Sequence, residues 1–598
     1  MALASVAGAS FCPGLLDGVA GMEAHLLEDL YEELSRQHNI VRWMGTQPLP
    51  DGSKAERYEF VHALYRQVIY ERQFPGHRAR LHRRIGERLA TLYAHDIEEV
   101  VPELAYHFEQ AAEWPRAIEY LKHAADIAGR RCAHSQADSL FARALELVDN
   151  LSEGQRARTE AQLLAMLAAH RWALWDVQVI GTLETLAERA ARSGLIDIQA
   201  RALIDLSFFL SLISAERCLE VAERALRLSS EQDPVMRIRT RTSCALRRLS
   251  VCGWNAQDAL EFREGLAQLS STDRLSLLPS DLLDDCFIRW SSGEYREGRT
   301  VALEARARSL ELGSSLNSTI EYKTAGAMAA YNLLFLGEWG QALKEYAAAI
   351  AWARKNANEH DLQWLHAQLA WLHLNAMDFE GALAICESAL ALAPGPTIRS
   401  ALDLPTGFPR QVRNALICAA SASAALGNYT RALEVFSAVR SEMDRQTVFF
   451  DWHWRMALAQ GLTEVWLATG DRFRAQEEGG RFLEMSLATA DQHYQGLAWE
   501  VNARVALESG DLPRARDCIA KALAAVQGFE VPLAAWRVHA TAARIEEQSG
   551  HLETSRSQRD ISRATILRLA DSLPEQEPLR ERFLSAPVIA RILDAQKC

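Results

Sequence analysis

The chain has 598 residues, more than one hydrophobic core normally organises, so we expect several domains or one elongated array. Hydrophobic residues make up 49% of it and charged residues 24%, which excludes a chain that is disordered throughout. The formal net charge of −13 excludes a protein whose whole surface binds nucleic acid, because such a surface must neutralise phosphates.

The cysteine pattern and the hydropathy predict a cytoplasmic protein. The ten cysteines are scattered without a C-x-x-C motif, and most lie in apolar stretches, where a thiol behaves as a small hydrophobic side chain. This usage is typical of a reducing compartment. The sequence contains no apolar run of about eighteen residues, so we expect no membrane-spanning segment.

Residues 1–90 form the first predicted domain, a winged-helix-like unit. The segment HLLEDLYEELSRQ (25–37) has the apolar spacing of an amphipathic helix. NIVRWMG (39–45) and AERYEFVHA (55–63) are β-like runs on either side of a turn-forming stretch, LPDGS. Two helices, ALYRQVIYERQ and RARLHRRIGERLATLY, are predicted to follow. A helix, a two-stranded wing and a further helix are the outline of a winged helix.

Residues 91–290 are predicted to be degenerate helical repeats. The segment EWPRAIEYLKHA places Trp114, Ala117, Leu121 and Ala124 in an aromatic, small, bulky, small order. The stretch ERCLEVAERALRL (216–228) has similar spacing. Alanine, leucine, arginine and glutamate dominate the region, and these residues lose least on entering a helix.

Residues 291–570 carry the clearest repeats. In the segment 369–394, Phe379, Ala382, Cys386, Ala389 and Pro394 follow the tetratricopeptide pattern of an aromatic, a small, a bulky and a small residue before proline. Small residues let two antiparallel helices approach closely, and a bulky residue one turn on fills the adjacent groove. The pattern therefore predicts a superhelix of stacked helix pairs.

The repeats are spaced more widely than usual. Their central small residues lie at positions 298, 342, 382, 432, 475 and 515. The usual tetratricopeptide period is about 34 residues, so we expect longer helices or turns. The widest interval contains residues 393–410, with four prolines, which predict an inserted loop. We expect residues 571–598 to form a C-terminal helical cap.

The first helix of each pair should line a concave face that is open to a partner. Aromatic and polar side chains at those positions suit a protein or peptide ligand, although packing between long helices explains aromatics equally well. The candidate partner-binding residues are Tyr331, Trp364, Gln368, Trp371, Asn414, Gln460, Glu464, Glu500 and Arg504.

Three N-terminal stretches, ASVAGASF (4–11), RYEFVHALYRQVIY (57–70) and HRARLHRRIGERL (77–89), resemble bacterial signal-transduction ATPases with numerous domains. The stretch ILRLADSLPEQEPLRERFLSAPVIARIL near the C-terminus resembles the end of the same architecture. In that family the region with the three N-terminal stretches follows a nucleotide-binding domain and precedes a tetratricopeptide sensor. The resemblance therefore implies a sensor or regulatory role and a protein partner.

The phosphate-binding loop of that family is missing from this sequence. G-x-x-x-x-G-K-[ST] does not occur, so ATP hydrolysis does not carry over. The resemblance makes a separately encoded nucleotide-binding subunit a candidate partner. The sequence also lacks G-x-S-x-G, G-x-G-x-x-G and H-E-x-x-H motifs. We therefore predict no catalytic residues, no cofactor and no metal in a protein-binding platform that is not an enzyme.

Two alternatives remain open. An arginine-rich stretch, with Arg78, Arg80, Arg83 and Arg84, could bind DNA phosphates and make residues 1–90 a transcriptional regulator. In the resembling family, however, this unit mainly packs against the nucleotide-binding domain.

The second alternative is a helical metal-dependent enzyme built around Asp281, Asp284 and Asp285. Aspartates also favour the first turn of a helix, which explains the cluster without a metal.

Overall fold

The computed structural model describes residues 1–16, 24–50, 52, 54–131, 133–229, 233–272, 277–312, 316–355, 358–391 and 409–594. The chain divides into two compact units, Met1–His170 and Arg171–Cys598. The boundary falls inside the predicted repeat region 91–290, so the compact units differ from the predicted domains. Nearly all of the predicted loop 393–410 lies outside the described residues.

The elements of Met1–His170 combine short strands with helices. In chain order they are α1 (Ala2–Ala7), β1 (Ser10–Phe11), α2 (Ala24–Gln37), β2 (Val41–Pro48), β3 (Lys54–Phe60), α3 (Ala63–Glu71), α4 (Pro75–Leu92), α5 (Val101–Gln110), α6 (Trp114–Arg130) and α7 (His134–Leu147), followed by the start of α8 (Glu153–Ala173).

The three strands form one antiparallel sheet in the order β1-β3-β2. The two predicted β-like runs form β2 and β3, paired with Trp43 opposite Tyr58. Strand β1 was not predicted, because two residues are too few to show a period. Phe11, Tyr31, Tyr58 and Phe60 pack together, with the rings of Phe11 and Tyr31 at 4.8 Å. The helix α2 and the sheet are therefore held by one aromatic core.

The unit Arg171–Cys598 consists of helices throughout its described residues. They are α9 (Val179–Arg192), α10 (Ile196–Ser211), α11 (Ala215–Ser229), α12 (Pro234–Cys252), α13 (Ala256–Thr272), α14 (Pro279–Ser291), α15 (Tyr295–Glu311), α16 (Leu316–Leu336), α17 (Trp339–Lys355), α18 (Glu359–Asn375), α19 (Phe379–Ala391), α20 (Pro409–Ala425), α21 (Tyr429–Arg445), α22 (Asp451–Thr469), α23 (Arg472–Leu487), α24 (Gln492–Glu508), α25 (Leu512–Val526), α26 (Pro532–Gln548), α27 (Leu552–Asp571), α28 (Pro578–Ser585) and α29 (Pro587–Asp594).

These helices form a tetratricopeptide-like α-solenoid, which confirms the predicted fold class. The small and bulky residues of the repeat pattern lie in the helix interfaces, where Ala342, Tyr346, Ala432 and Phe436 are completely buried. The helices also approach closely at Gly298, where an added Cβ would lie 2.5 Å from the side-chain oxygen of Asn332 on the first helix of the next pair. Stacking therefore uses the small residues as the sequence analysis expects.

A residue in the left-handed conformation separates the two helices of most repeats. Gly470, at φ 78°, ends α22, as glycine does at many helix C-termini. At the corresponding position the third repeat has Met377, at φ 60°. A side chain in this conformation costs roughly 1–2 kcal/mol, so Met377 is strained where the other repeats use glycine.

The solenoid closes on itself, which corrects the expectation of a broad open concave face. First helices meet across the superhelix, α12 against α22 and α16 against α26. The Phe450 amide donates to the Ser250 carbonyl at 2.7 Å, and the Trp452 indole donates to the Leu249 carbonyl at 2.9 Å. Contacts between distant first helices therefore narrow the inner face instead of leaving it fully open.

Among the helices of the described ranges, none has both the length and the apolar composition of a membrane-spanning segment.

Candidate functional site

A cavity of about 1100 Å³ lies inside the unit Arg171–Cys598. The first helices of successive pairs, α16, α18, α20, α22, α24 and α26, supply most of its wall, and α27 and α29 complete it. A volume of this size is at the upper end of what small-molecule pockets offer and suits a short peptide segment.

The helix period explains why these side chains converge. On α24 the lining residues include Tyr494, Leu497, Glu500 and Arg504, which recur every three or four positions. Residues at that spacing lie on one face of a helix. Each first helix turns the same face inward, so the stacked pairs build one continuous wall.

One part of the wall is aromatic. The rings of Trp371 and Trp454 stack at 6.1 Å, and the Trp371 indole donates to the Asn414 side-chain oxygen at 2.5 Å. Tyr331 and Trp536 also line the cavity. Rigid indole and phenol rings offer a large apolar area at low entropic cost, which is typical of recognition surfaces.

A charged cluster lies beside these rings. Arg504 donates to Glu500 at 2.8 Å and to Glu464 at 2.9 Å, and the Thr541 hydroxyl donates to Glu500 at 2.5 Å. Burial alone would raise the pKa of Glu464, but the Arg504 guanidinium outweighs it and holds the pKa below its usual value. The Glu464 carboxylate is therefore ionised, and both carboxylates are engaged by Arg504.

Arg537 lies on α26, the first helix of the next pair, and lines the same cavity. Its Nε atom is buried and has no hydrogen-bond partner among the described residues. Its guanidinium carbon lies 5.1 Å from the centre of the Trp536 ring. Burial lowers the pKa of Arg537, and the attraction of Glu464 and Glu500 does not fully offset this effect.

The C-terminal helix α29 lies at the edge of the cavity, where Val588, Arg591 and Ile592 contribute to the lining. The preceding helix α28 is held by two contacts. Arg582 pairs with the buried carboxylate of Asp378, and the ring of Phe583 lies 5.1 Å from that of Trp339. The predicted C-terminal cap thus helps to enclose the cavity.

Six of the nine candidate partner-binding residues line this one cavity: Tyr331, Trp371, Gln460, Glu464, Glu500 and Arg504. The other three do not line it, since Trp364, Gln368 and Asn414 are buried between helices, with exposures of 8%, 1% and 2%. Asn414 nevertheless orients Trp371 through their hydrogen bond.

Trp454, Trp536 and Arg537 also line the cavity and are not among the predicted binding residues. The repeat spacing could have identified Arg537. It lies as far before Gly550 as the predicted residue Asn414 lies before Gly427.

The four candidate arginines of the N-terminal unit lie on α4 and are partly engaged by protein groups. Arg83 donates to Glu87 at 3.1 Å and lies 3.4 Å from Glu113, and Arg78 stacks at 4.8 Å over the Tyr70 ring. Arg80, Arg83 and Arg84 are all exposed residues.

Helix α2, which lies between β1 and β2 along the chain, exposes acidic residues. Asp29, Glu32 and Glu33 all lie on its solvent side. Negative side chains repel the phosphates that a DNA-reading helix must approach.

Two members of the aspartate cluster of the metal-enzyme alternative, Asp281 and Asp285, are engaged in structural contacts. Asp281 accepts from the Leu278 amide at 2.8 Å, at the start of α14, and from Arg239 at 2.7 Å. Asp285 accepts from Arg289 at 2.8 Å. Across the described ranges, no group of three or more histidine, cysteine or acidic side chains is arranged to hold a metal ion.

No protein-family profile matches the sequence, and no curated protein matches it. Among solved structures, the chain is similar to the Rap protein crystallised with the competence and sporulation factor, at 13% identity and a TM-score of 0.46, over 63% of this chain and 99% of that chain. It is similar to the APC/C hetero-tetramer Cut9–Hcn1, at 12% identity and a TM-score of 0.44, over 84% of this chain and 97% of that chain.

A third similar structure is a tetratricopeptide repeat protein from Parabacteroides merdae ATCC 43184, at 13% identity and a TM-score of 0.28, over 51% of this chain and 97% of that chain. At such identities a structural likeness concerns the fold alone. The site is therefore argued from the residues of this chain.

Proposed function

We propose that the chain is a non-catalytic protein-binding platform and that the cavity of Arg171–Cys598 takes a segment of the partner. The observation that carries the proposal is the convergence of six predicted recognition residues on one cavity. Its wall combines stacked aromatic rings with a few fixed polar groups, which is the usual composition of a recognition pocket.

A finer proposal is that the platform is the sensor or regulatory part of a bacterial signalling ATPase or transcriptional-regulator system. It is supported by the resemblance of residues 4–11, 57–70 and 77–89 to that family. These stretches share one core, in which Val6, Phe60 and Ile85 are buried. Arg66 of the second stretch also donates to the Ser5 carbonyl of the first at 3.0 Å. A separately encoded nucleotide-binding subunit is the partner that this resemblance suggests.

The platform proposal is tested by filling the cavity. Gln460→Trp places an indole in the lining, whereas Leu487→Trp adds the same ring on the outer helix α23, where Leu487 is half exposed. The full chain and both variants are used to capture proteins from the cells that make it. We expect a partner that wild type and Leu487→Trp retain and Gln460→Trp loses. A partner retained equally by all three, or no partner at all, would contradict the proposal.

A further inference from the structure

The charges around the cavity do not balance. Five arginines line it against three glutamates, in a chain whose net charge is −13. The cavity is therefore locally cationic although the chain as a whole is acidic. A surplus of this kind in a partly enclosed, aromatic space attracts an anionic group more strongly than it would at a flat, open surface.

Four of the five arginines already have acceptors. Arg504 is shared by two glutamates, Arg559 donates to Glu547 at 2.9 Å, and Arg544 lies 3.5 Å from Glu508. Arg591 donates through Nε to the Pro587 carbonyl at 3.0 Å. Each of these guanidiniums thus has at least one protein acceptor.

Arg537 differs from those four. Its buried Nε has no acceptor among the described residues, and its guanidinium faces the lining beside Trp536. The two nearby carboxylates, Glu464 and Glu500, are held by Arg504 instead. A buried polar group without a partner is costly, and a guanidinium presents a planar fork of donors that fits a carboxylate.

We infer that the cavity takes a peptide segment that carries a carboxylate, and that Arg537 receives this group while apolar side chains of the peptide pack against Trp371, Trp454 and Trp536. This inference rests on the proposed platform function and adds to it the chemistry of the partner segment. The carboxylate can be an aspartate or glutamate side chain or the free C-terminus of the partner, because both present the same two oxygens.

The probe is an array of random heptapeptides in three matched forms. One form has a free C-terminal carboxylate, the second a C-terminal amide, and the third an amide with one fixed glutamate. Full-length wild type should bind acid-bearing forms about tenfold more tightly than amide forms of the same sequence, since a charge-assisted hydrogen bond is worth that much. The first and third forms distinguish the two sources of the carboxylate.

Arg537→Gln should abolish this preference without loss of stability, because it removes a buried charge and retains a donor. Arg537→Lys retains the charge but not the fork, so it should keep part of the preference. Arg481→Gln is the matched control, since Arg481 lies on the outer helix α23 and pairs with Glu477. It should bind like wild type.

Equal binding of acid and amide forms, or an acid preference that survives in Arg537→Gln, would overturn the inference while the platform stands. Absence of binding by every form would also overturn it. The platform proposal is tested only by comparing protein capture by Gln460→Trp and Leu487→Trp. The two proposals are therefore contradicted by different experimental results.

Discussion

The Tyr295 hydroxyl donates to both carboxylate oxygens of Asp491, at 3.2 Å from each, across 196 positions of the sequence. Asp491 also accepts from the His493 amide at 2.9 Å, so the same carboxylate begins α24. The contact joins the start of α15 to the start of α24 in the interior of the solenoid, and is one of the links that close it.

The first prediction concerns the pH dependence of that link. Burial raises the pKa of Asp491 to about 7, although hydrogen bonds from His493 and Tyr295 oppose the rise. In the unfolded chain an aspartate has a pKa of about 3.9. Between about pH 4 and pH 7 the folded state therefore keeps a proton that the unfolded state releases, so this group's contribution to stability falls as the pH rises.

Asp491→Asn keeps an acceptor for Tyr295 and an N-cap, and it cannot ionise. The variant should gain stability relative to wild type as the pH rises through that window, by thermal unfolding of the full chain. Asp511→Asn, at the exposed start of α25, serves as the control. A difference between Asp491→Asn and wild type that stays constant with pH would contradict the assigned pKa.

A second prediction uses two glycines inside helices. A Cβ at Gly340 would lie 2.3 Å from the Ser572 backbone oxygen, whereas a Cβ at Gly480 meets nothing within 4 Å. Gly340→Ala should destabilise the chain by about 1–3 kcal/mol through overpacking. Gly480→Ala should stabilise it by about 0.5–1 kcal/mol, because alanine is the better helix former. The free energy of unfolding is measured in urea. If Gly340→Ala and Gly480→Ala changed it equally, the segment after α27 would not pack on α17.

A third prediction compares a buried ion pair with a more exposed one. Arg413 is fully buried and donates to Asp451 at 2.6 Å and to the Gln446 carbonyl at 3.0 Å. Arg413→Ala leaves a buried carboxylate without this cation and should cost about 3–5 kcal/mol of unfolding free energy. Arg455→Ala removes a partly exposed pair with Asp444 and should cost less than about 1 kcal/mol. Similar losses in the two variants would show that Arg413 is not enclosed.

A fourth prediction tests the DNA-binding alternative. Because Arg83 is paired and α2 exposes acidic side chains, we expect the full chain to show only weak affinity for duplex DNA at low salt. Exchanging Arg80, Arg83 and Arg84 for glutamine should leave partner capture unchanged. Tight, salt-dependent DNA binding that this triple exchange abolishes would favour a transcriptional regulator instead.

The parts of the fold that depend on local periodicity could be predicted from the sequence. Ala342 and Tyr346, for example, alternate in size at helical spacing, and this pattern alone places them between helices. The same period gives the inward-facing positions, so the sequence predicts that Gln460, Glu500 and Arg504 share one face, and all three line the cavity.

What could not be predicted depends on contacts between distant segments. Nothing near Tyr295 in the sequence points to Asp491, and nothing near Trp339 points to Phe583, so the closure of the solenoid has no local signal. Gln368 is buried between helices instead of lining the inner face, and the closure leaves a cavity in place of a broad open face. Whether Arg537 has a partner likewise depends on three helices that meet only in the folded chain.

Photo-crosslinking from inside the cavity tests the central claim most directly. A photoreactive phenylalanine analogue replaces Gln460 in the full chain, or Leu487 on the outer helix, and the chains are irradiated in the cells that make them. We predict a discrete crosslinked protein from position 460 that position 487 does not give, with the linked residue in a peptide segment of the partner. Crosslinks from position 487 alone, or the same products from both positions, would contradict a recognition site inside the solenoid.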